Sequence, residues 1–383
     1  KLTNYNMLVT GSSGSGKSFA NNFLMLQQIA RGTKVFIIDI GGSYKKICEL
    51  LDGQYFEINL NSEYTLNPFE LNDPNDLPGS DKIKGLVSII EQMVVDSDEK
   101  LSRLERVKIE EALTQVFQKV RTVSSKRSPL LSDFSAYCEQ SKDEELKKIA
   151  KLLFPWTGNA PFGKLLDKSG KINTSSSIIA FDLKGLSQYP DLQSVIVLIL
   201  TNFILDQVEN DRSTAKRVLL DEAWDLLKSP AASAFMEYAA RTFRKTGSGI
   251  SFITQGVEEI VQSQVGSAIL NNTASKLIML QKGDTQVLSK YLKLNSQEIR
   301  VIQSLRQKKG FYSEGFLMAG DSRQVIRFYP SPMEYWISTS DARDNLYLQK
   351  LMNENNISLS EAVVQASKEA PLGIANQQFK EAL

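Results

Sequence analysis

Gly11-Ser12-Ser13-Gly14-Ser15-Gly16-Lys17-Ser18 fits the pattern G-x-x-x-x-G-K-[ST] with no mismatch. A triphosphate has to be wrapped by backbone N–H groups, and residues without a Cβ let the chain curl that closely around it. Lys17 is then placed to reach the outer phosphates, and the Ser18 hydroxyl to ligate Mg²⁺. Residues 5–10, Tyr-Asn-Met-Leu-Val-Thr, predict a short buried strand directly before this loop. After it, Phe19, Phe23, Leu26 and Ala30 recur at helical spacing, and Gly32 supplies a stop. A Gly/Ser surface turn would account for the glycines but not for a strand before them and a helix behind. We therefore expect nucleotide contacts from Gly11, Ser12, Ser13, Gly14, Ser15, Gly16, Lys17, Ser18 and Phe19.

The 383 residues suffice for one large domain with insertions or for two domains. Lys plus Arg number 45 and Asp plus Glu 44, so no global basic field points to nucleic acid and no acidic excess to a basic partner. The chain has no histidine, which removes Ser-His-Asp hydrolysis, His-ligated zinc and imidazole acid/base chemistry; any general base must be a carboxylate. Two cysteines, Cys48 and Cys138, are too few for a metal site and read as buried thiols in a reducing compartment. The apolar run Val195 to Leu205, interrupted by Thr201 and Asn202, reads as a core helix too short to span a bilayer. The chain opens at Lys1, a few residues before the first strand, as a piece of something longer would.

Residues 34–39 predict a second strand ending in Asp39, followed by Gly41, Gly42, Ser43 and a helix to Leu51. Asp39 either faces the nucleotide or merely favours the dipole of that helix. A third strand is expected from Gln54 to Leu60, with Pro68 ending regular structure. Loop chemistry fills Asp73 to Gly79, and from about Asp81 to Phe154 no strand is convincing. Ile109, Leu113, Val116, Phe117 and Val120 mark one helix face there, with a loop at Ser124 to Pro129. The charged residues of this stretch form a solvated face or a docking surface. Strand patterns return at Ile178 to Asp182, Arg217 to Asp221, Ile250 to Thr254 and Ser275 to Leu280, so an α/β fold with a mostly parallel sheet is the economical arrangement. Phe311 to Ala319 and Gln324 to Tyr329 flank Gly320, Asp321 and Ser322 as a β-hairpin, and a polar helical tail follows, its last ten residues expected to be disordered. We expect a discontinuous nucleotide-binding domain at 1–75 and 172–340, an α-helical insertion at 76–171 and a helical tail at 341–383.

Val218-Leu219-Leu220-Asp221-Glu222 is an apolar strand ending in two carboxylates, the Walker B arrangement. Asp221 would hold Mg²⁺ through its water shell, and Glu222 would orient and deprotonate the attacking water. A solvated pair opening the helix that contains Trp224 is the plainer alternative. Gln255 follows a strand expected beside that of the P-loop, where an amide can bond both γ-phosphate and lytic water; otherwise it is a turn residue. Arg241, Arg244 and Lys245 precede that strand. There an arginine could complete a neighbour's site, or simply favour a helix C-terminus.

The P-loop, the Asp39-Gly41-Gly42-Ser43-Tyr44 turn, Leu66-Asn67-Pro68-Phe69, Trp156 with Gly158 and Phe162-Gly163, Asp221-Glu222-Ala223-Trp224, and Gly249 to Gln255 occur in a family order. With them the chain resembles the C-terminal ATPase domain of TraC-type proteins of type IV secretion, within the wider HerA/FtsK class. The resemblance covers nearly the whole chain. It implies a RecA-like P-loop NTPase using ATP and Mg²⁺, a hexameric motor on the cytoplasmic side of the bacterial inner membrane, and partners among inner-membrane secretion components. Contact with DNA or a relaxase substrate stays open at this point. By position it assigns Lys17 and Ser18 to phosphate and Mg²⁺, Asp221 and Glu222 to Walker B, Gln255 to the sensor, and Arg241 or Arg244 to the finger region. It implies a large N-terminal domain that this sequence lacks. The alternatives are a DNA-translocating HerA/FtsK-like motor or coupling protein, for which the near-neutral charge supplies no obvious basic pore loops, and a nucleotide-gated assembly scaffold, which would have no need of Glu222. An ABC subunit is disfavoured because no Leu-Ser-Gly-Gly precedes Walker B.

Overall fold

The computed structural model describes residues 2–62, 64–71, 73, 76–96, 99–123, 127–170, 172, 174–222, 230–283 and 285–374. Ala223, Trp224 and the helix expected around them, residues 74, 75 and 124–126 of the two expected loops, and residues 375–383 of the tail lie outside these. The chain forms two compact units, residues 1–56, 175–182 and 207–383, and residues 57–174 and 183–206.

The first unit is built on β1 (Met7–Thr10), β2 (Lys34–Asp39), β3 (Gln54–Glu57), β4 (Ile178–Asp182), β5 (Lys216–Leu220), β6 (Gly249–Thr254), β7 (Ser275–Met279), β8 (Gln307–Lys308), β9 (Tyr312–Ala319) and β10 (Ser322–Phe328). They form one ten-stranded sheet in the order β10-β9-β7-β1-β6-β5-β2-β4-β3, with β8 beside β9. β1 pairs in parallel with β6 and β7, and β2 with β4 and β5, whereas β9 is antiparallel to β7, β8 and β10. Strands inside such a sheet are covered on both faces, which is why β4 is buried along its length and β2 from Val35 onward.

From β1 the chain passes through α1 (Lys17–Ile29) and re-enters the sheet at β2, beyond β6 and β5. That skip puts a topological switch point beside β1, and the carboxyl ends of β1, β6, β5 and β2 share one sheet edge. Val9, Ala20, Met25, Ile37, Leu219 and Ile253 belong to one buried cluster that fastens α1 and α2 (Lys45–Leu50) to the sheet. Each of the larger side chains among them contributes roughly 1.5–3 kcal/mol on burial, so the position of the P-loop is fixed by the core beneath it. Helices Pro332–Ser338, Ala342–Asn355 and Leu359–Glu369 form a second cluster around fully buried Trp336, whose indole N–H donates to the Ala370 carbonyl at 2.8 Å.

The second unit contains α3 (Ser80–Val94), α4 (Arg103–Val123), α5 (Leu131–Glu139), α6 (Glu144–Leu152), α7 (Gly163–Leu166) and most of α8 (Pro190–Asn210). The predicted face of α4, from Ile109 to Val120, is buried, and Phe69 packs 6.0 Å from Phe117 and 6.4 Å from Phe134, ring centre to ring centre. Asn67 shapes the turn into Phe69: its Oδ1 accepts from the Phe69 N–H at 3.0 Å and its Nδ2 donates to the Pro129 carbonyl at 2.9 Å. The apolar run expected from Val195 to Leu205 extends further, because Pro190 to Asn210 is one helix of 21 residues. An 18-residue stretch of it has mean hydropathy 1.4, so α8 is long and apolar enough to cross a membrane, and 56% of that stretch is buried within the fold.

Candidate nucleotide site

The loop leaves β1 at Thr10 and becomes helical at Lys17. Gly14 and Gly16 have φ of 74° and 87°, a left-handed backbone that costs any residue with a Cβ. A Cβ on Gly16 would also come within 2.9 Å of Ser313 Oγ, and one on Gly11 within 2.7 Å of Met279 Cβ. The loop is held on its β7 side as well: Ser12 N–H donates to the Leu280 carbonyl at 3.1 Å, and Lys282 N–H donates to Ser12 Oγ at 2.8 Å. Ser15 Oγ is buried without a hydrogen-bond partner among the described residues. Lys17 Nζ donates to the Gly11 and Ser12 carbonyls at 2.5 and 3.3 Å. Burial lowers its pKa, while Glu222, Asp221 and Glu259 favour its charged form. The positive end of α1 faces the same space, the arrangement that suits a polyanion.

The carboxylates come from the neighbouring strand ends. Asp39, nearly fully buried, accepts from the N–H groups of Gly41 at 2.8 Å and Ser43 at 2.7 Å, which offset part of the burial that raises its pKa. Asp221 accepts from the Tyr44 hydroxyl at 2.9 Å and from the Glu222 N–H at 3.0 Å. Burial, reinforced by Asp39, pushes the Asp221 carboxyl up to about 7. Glu222 has φ of 51°, uncommon for a residue with a side chain, and its Oε1 accepts from Gln255 Nε2 at 3.0 Å.

These groups line one cavity of about 350 Å³, together with Gln307 to Ser313, Pro330, Tyr335 and Thr339 to Asp341. The structure thus brings Ser13, Gly14, Gly16, Lys17, Ser18, Phe19, Asp221, Glu222 and Gln255 together. Gly11, Ser12 and Ser15, expected among the nucleotide contacts, do not line the cavity; the Gly11 and Ser12 carbonyls accept from Lys17 instead. Arg241 and Arg244 are not brought there: they precede β6, whereas Gln255 follows it, and a six-residue strand spans roughly 20 Å. Arg241 is exposed and paired with Glu237 at 2.6 Å, and Arg244 is exposed on the turn Phe243–Thr246.

Sequence reasoning did not assign a role to Tyr44 or place the segment 307–313 and Tyr335 in the site. Tyr44 stood in a recognised turn, but its Asp221 partner is 177 positions away. β8 is two exposed residues with no periodic signal. The donors fit a nucleotide with a divalent cation: loop N–H groups and Lys17 for phosphate, and the Ser18 hydroxyl with the Asp221 carboxylate as hard oxygen ligands facing the same cavity.

The chain is 22% identical over 387 residues to Protein TraC of Escherichia coli K12, covering 95% of this chain and 42% of that protein. It is 23% identical over 334 residues to the type IV secretion system protein virB4 of Bartonella quintana, covering 84% of this chain and 39% of the relative. It therefore spans about two fifths of the length of these curated relatives. Among solved structures, VirB4 of Thermoanaerobacter pseudethanolicus matches with TM-score 0.70 and 24% identity over 87% of this chain and 91% of that one. The plasmid coupling protein TrwB in complex with ADP and Mg²⁺ matches with TM-score 0.53 and 12% identity over 85% and 84%. These likenesses establish the RecA-like P-loop fold. With residues 1–370 matching the family as a unit, the chain belongs to the TraG P-loop domain family.

Proposed function

We propose that this chain binds and hydrolyses ATP with Mg²⁺ and is the ATP-driven motor domain of a type IV secretion or conjugation system, energising pilus assembly and substrate transfer. The observation that carries the reading is the 3.0 Å bond between Gln255 and Glu222 in the cavity lined by the P-loop and Asp221. Glu222 is the general base. Gln255 holds its carboxylate and senses the γ-phosphate, while Tyr44 and the Glu222 N–H fix the Asp221 carboxylate. Ser18 and Asp221 would hold Mg²⁺, which supplies charge neutralisation at the phosphates when bound. Lys17 leaves its loop carbonyls to meet the phosphate oxygens.

The names of the relatives support the cellular role: TraC, virB4 and the conjugal transfer protein TrbE of Rhizobium radiobacter. We assign nucleotide handling to 1–75 and 172–340, a helical insertion to 76–171 and a tail to 341–383, whereas the compact units group 57–75 and 183–206 with the insertion and 341–383 with the sheet. The working form is a hexamer or other ring at the cytoplasmic face of the inner membrane, among secretion components, with Arg244 or Arg241 completing a neighbour's site.

The test is steady-state ATPase activity over a protein concentration series, with and without single- and double-stranded DNA, and with Glu222→Gln as the blank. Specific activity that rises with protein concentration and ignores DNA supports the secretion motor. Activity seen only with DNA overturns it in favour of a DNA pump, and activity equal to the blank overturns hydrolysis.

A further inference from the structure

The cavity has a wall that phosphate chemistry does not require. β8 lies on the last glycine of the P-loop: Gln307 Nε2 is 3.1 Å from the position a Gly16 Cβ would take, and Ser313 Oγ donates to the Ser15 carbonyl at 3.3 Å. Between these two anchors the chain turns, with Phe311 N–H donating to the Lys308 carbonyl at 2.9 Å, and Phe311 lines the cavity. Tyr335 enters the same cavity beside α1, its ring centre 6.0 Å from that of Phe19.

Aromatic and prolyl surface offers nothing to a polyphosphate. The one part of a nucleoside triphosphate that is planar and apolar is its base, and stacking on an aromatic ring is how a base is held with little regard to its hydrogen-bonding edge. We propose that Phe311, with Pro330 and Tyr335, forms the base subsite of this nucleotide site, so that affinity for a nucleoside triphosphate over bare polyphosphate resides in the 308–311 turn. This inference rests on the nucleotide reading above. Three contacts prepare the subsite. Lys309 Nζ lies 2.6 Å from the Asp341 carboxylate, tying the turn to the residue that caps the helix Ala342–Asn355. The Tyr335 hydroxyl donates to the buried Asp344 carboxylate at 2.6 Å, fixing the orientation of its ring. The Lys308 ammonium stands 4.0 Å from the Phe311 ring centre, where it is attracted by the ring's negative face.

The experiment compares ATP with inorganic tripolyphosphate, which has the phosphates and no base. Dissociation constants with Mg²⁺ are measured by calorimetry in a Glu222→Gln background, with and without Phe311→Ala or Phe311→Tyr. Phe311 is partly exposed on a turn, and thermal unfolding checks that each variant is folded. Phe311→Ala should weaken ATP about tenfold and leave tripolyphosphate within twofold, and Phe311→Tyr should restore ATP binding. Unchanged ATP affinity in Phe311→Ala, or equal weakening of both ligands, overturns the base subsite alone. A parent that binds neither ligand overturns the nucleotide reading and this inference with it.

Discussion

Gln255 Nε2 donates to Glu222 Oε1 at 3.0 Å, joining the residues that follow two neighbouring strands of the sheet. A carboxylate acting as general base gains from a donor that fixes its direction and leaves its second oxygen for a water. On the role proposed for Glu222, Glu222→Gln removes the base but keeps a side chain able to bond Gln255. Phosphate release should fall by about 10²–10⁴ while nucleotide affinity stays within a few-fold. Gln255→Ala should cost less, because the base survives. Single-turnover phosphate release beside calorimetric binding separates the two, and a Glu222→Gln variant with wild-type turnover would remove Glu222 from the reaction.

The Tyr44 hydroxyl spends its hydrogen bond on a buried carboxylate already crowded by Asp39. Tyr44→Phe keeps the fully buried ring and deletes only that donor. We expect unfolding free energy to drop by about 1–3 kcal/mol, the cost of an unsatisfied buried acceptor, and the Mg²⁺ concentration for half-maximal activity to rise. Urea denaturation and a Mg²⁺ titration check this; if neither moves, Tyr44 does not position Asp221.

Lys46 connects α2 to the C-terminal helices, donating to the Thr339 carbonyl and, at 3.2 Å, to Asn345 Oδ1. Burial lowers its pKa from 10.5 to about 8, with Asp344 opposing the shift. The folded chain therefore gives up this proton at lower pH than the unfolded chain does. Below pH 8 both states carry it and the folded state bears the full cost of burying the charge. As pH climbs from about 8 toward 10.5 the unfolded state holds more protons, so this group's contribution makes folding more favourable, by ~3 kcal/mol at most. The rise should be smaller in Lys46→Met. Chemical denaturation of both proteins from pH 7 to 10 tests this, and parallel curves would refute it.

The central strands were legible because they are buried on both faces, and continuous apolar runs such as Lys34 to Asp39 and Ile178 to Asp182 have no other ready explanation. The P-loop and the Asp221-Glu222 pair stood out by residue type and spacing, and the structure brings them to one cavity. What was not legible is whatever arises when distant segments meet. Nothing local in Gln307-Lys308 says that it lies against Gly16, and nothing in Tyr44 says that its hydroxyl meets Asp221. The apolar segment around Leu200 was underestimated in length because the first turn of the helix, Pro190 to Ser194, has the single apolar residue Leu192 among polar ones.

Cys48 lies on α2 and Cys138 on α5, one in each compact unit, and both are free and fully buried. Burial pushes each thiol up to about 12, leaving roughly 10⁻⁴ as thiolate at pH 8. Native protein should react with a thiol reagent far more slowly than the unfolded chain, whose two thiols react at once. Mapping which cysteine is labelled first as denaturant rises shows which unit opens first. Rapid native labelling of either would contradict its burial.

Arg241 and Arg244 lie before the amino end of β6, away from the cavity of their own chain, so any catalytic part they play has to be in a neighbour's site. Arg241 already holds Glu237 in an exposed i,i+4 pair, an arrangement worth only a few tenths of a kcal/mol and easily given up. Arg244 projects from an exposed turn and is the stronger candidate. An arginine that completes a neighbouring site is worth about 10³–10⁵ in rate, so Arg244→Ala should be nearly inactive alone, and Arg241→Ala less affected. Mixing decides the matter. Glu222→Gln has a dead site but an intact Arg244, while Arg244→Ala has an intact site and no finger, so their mixture should regain activity that neither shows alone. Without that recovery, under conditions where wild-type specific activity rises with protein concentration, Arg244 does not act in trans, and the search for the completing cation moves to other exposed residues of the first unit.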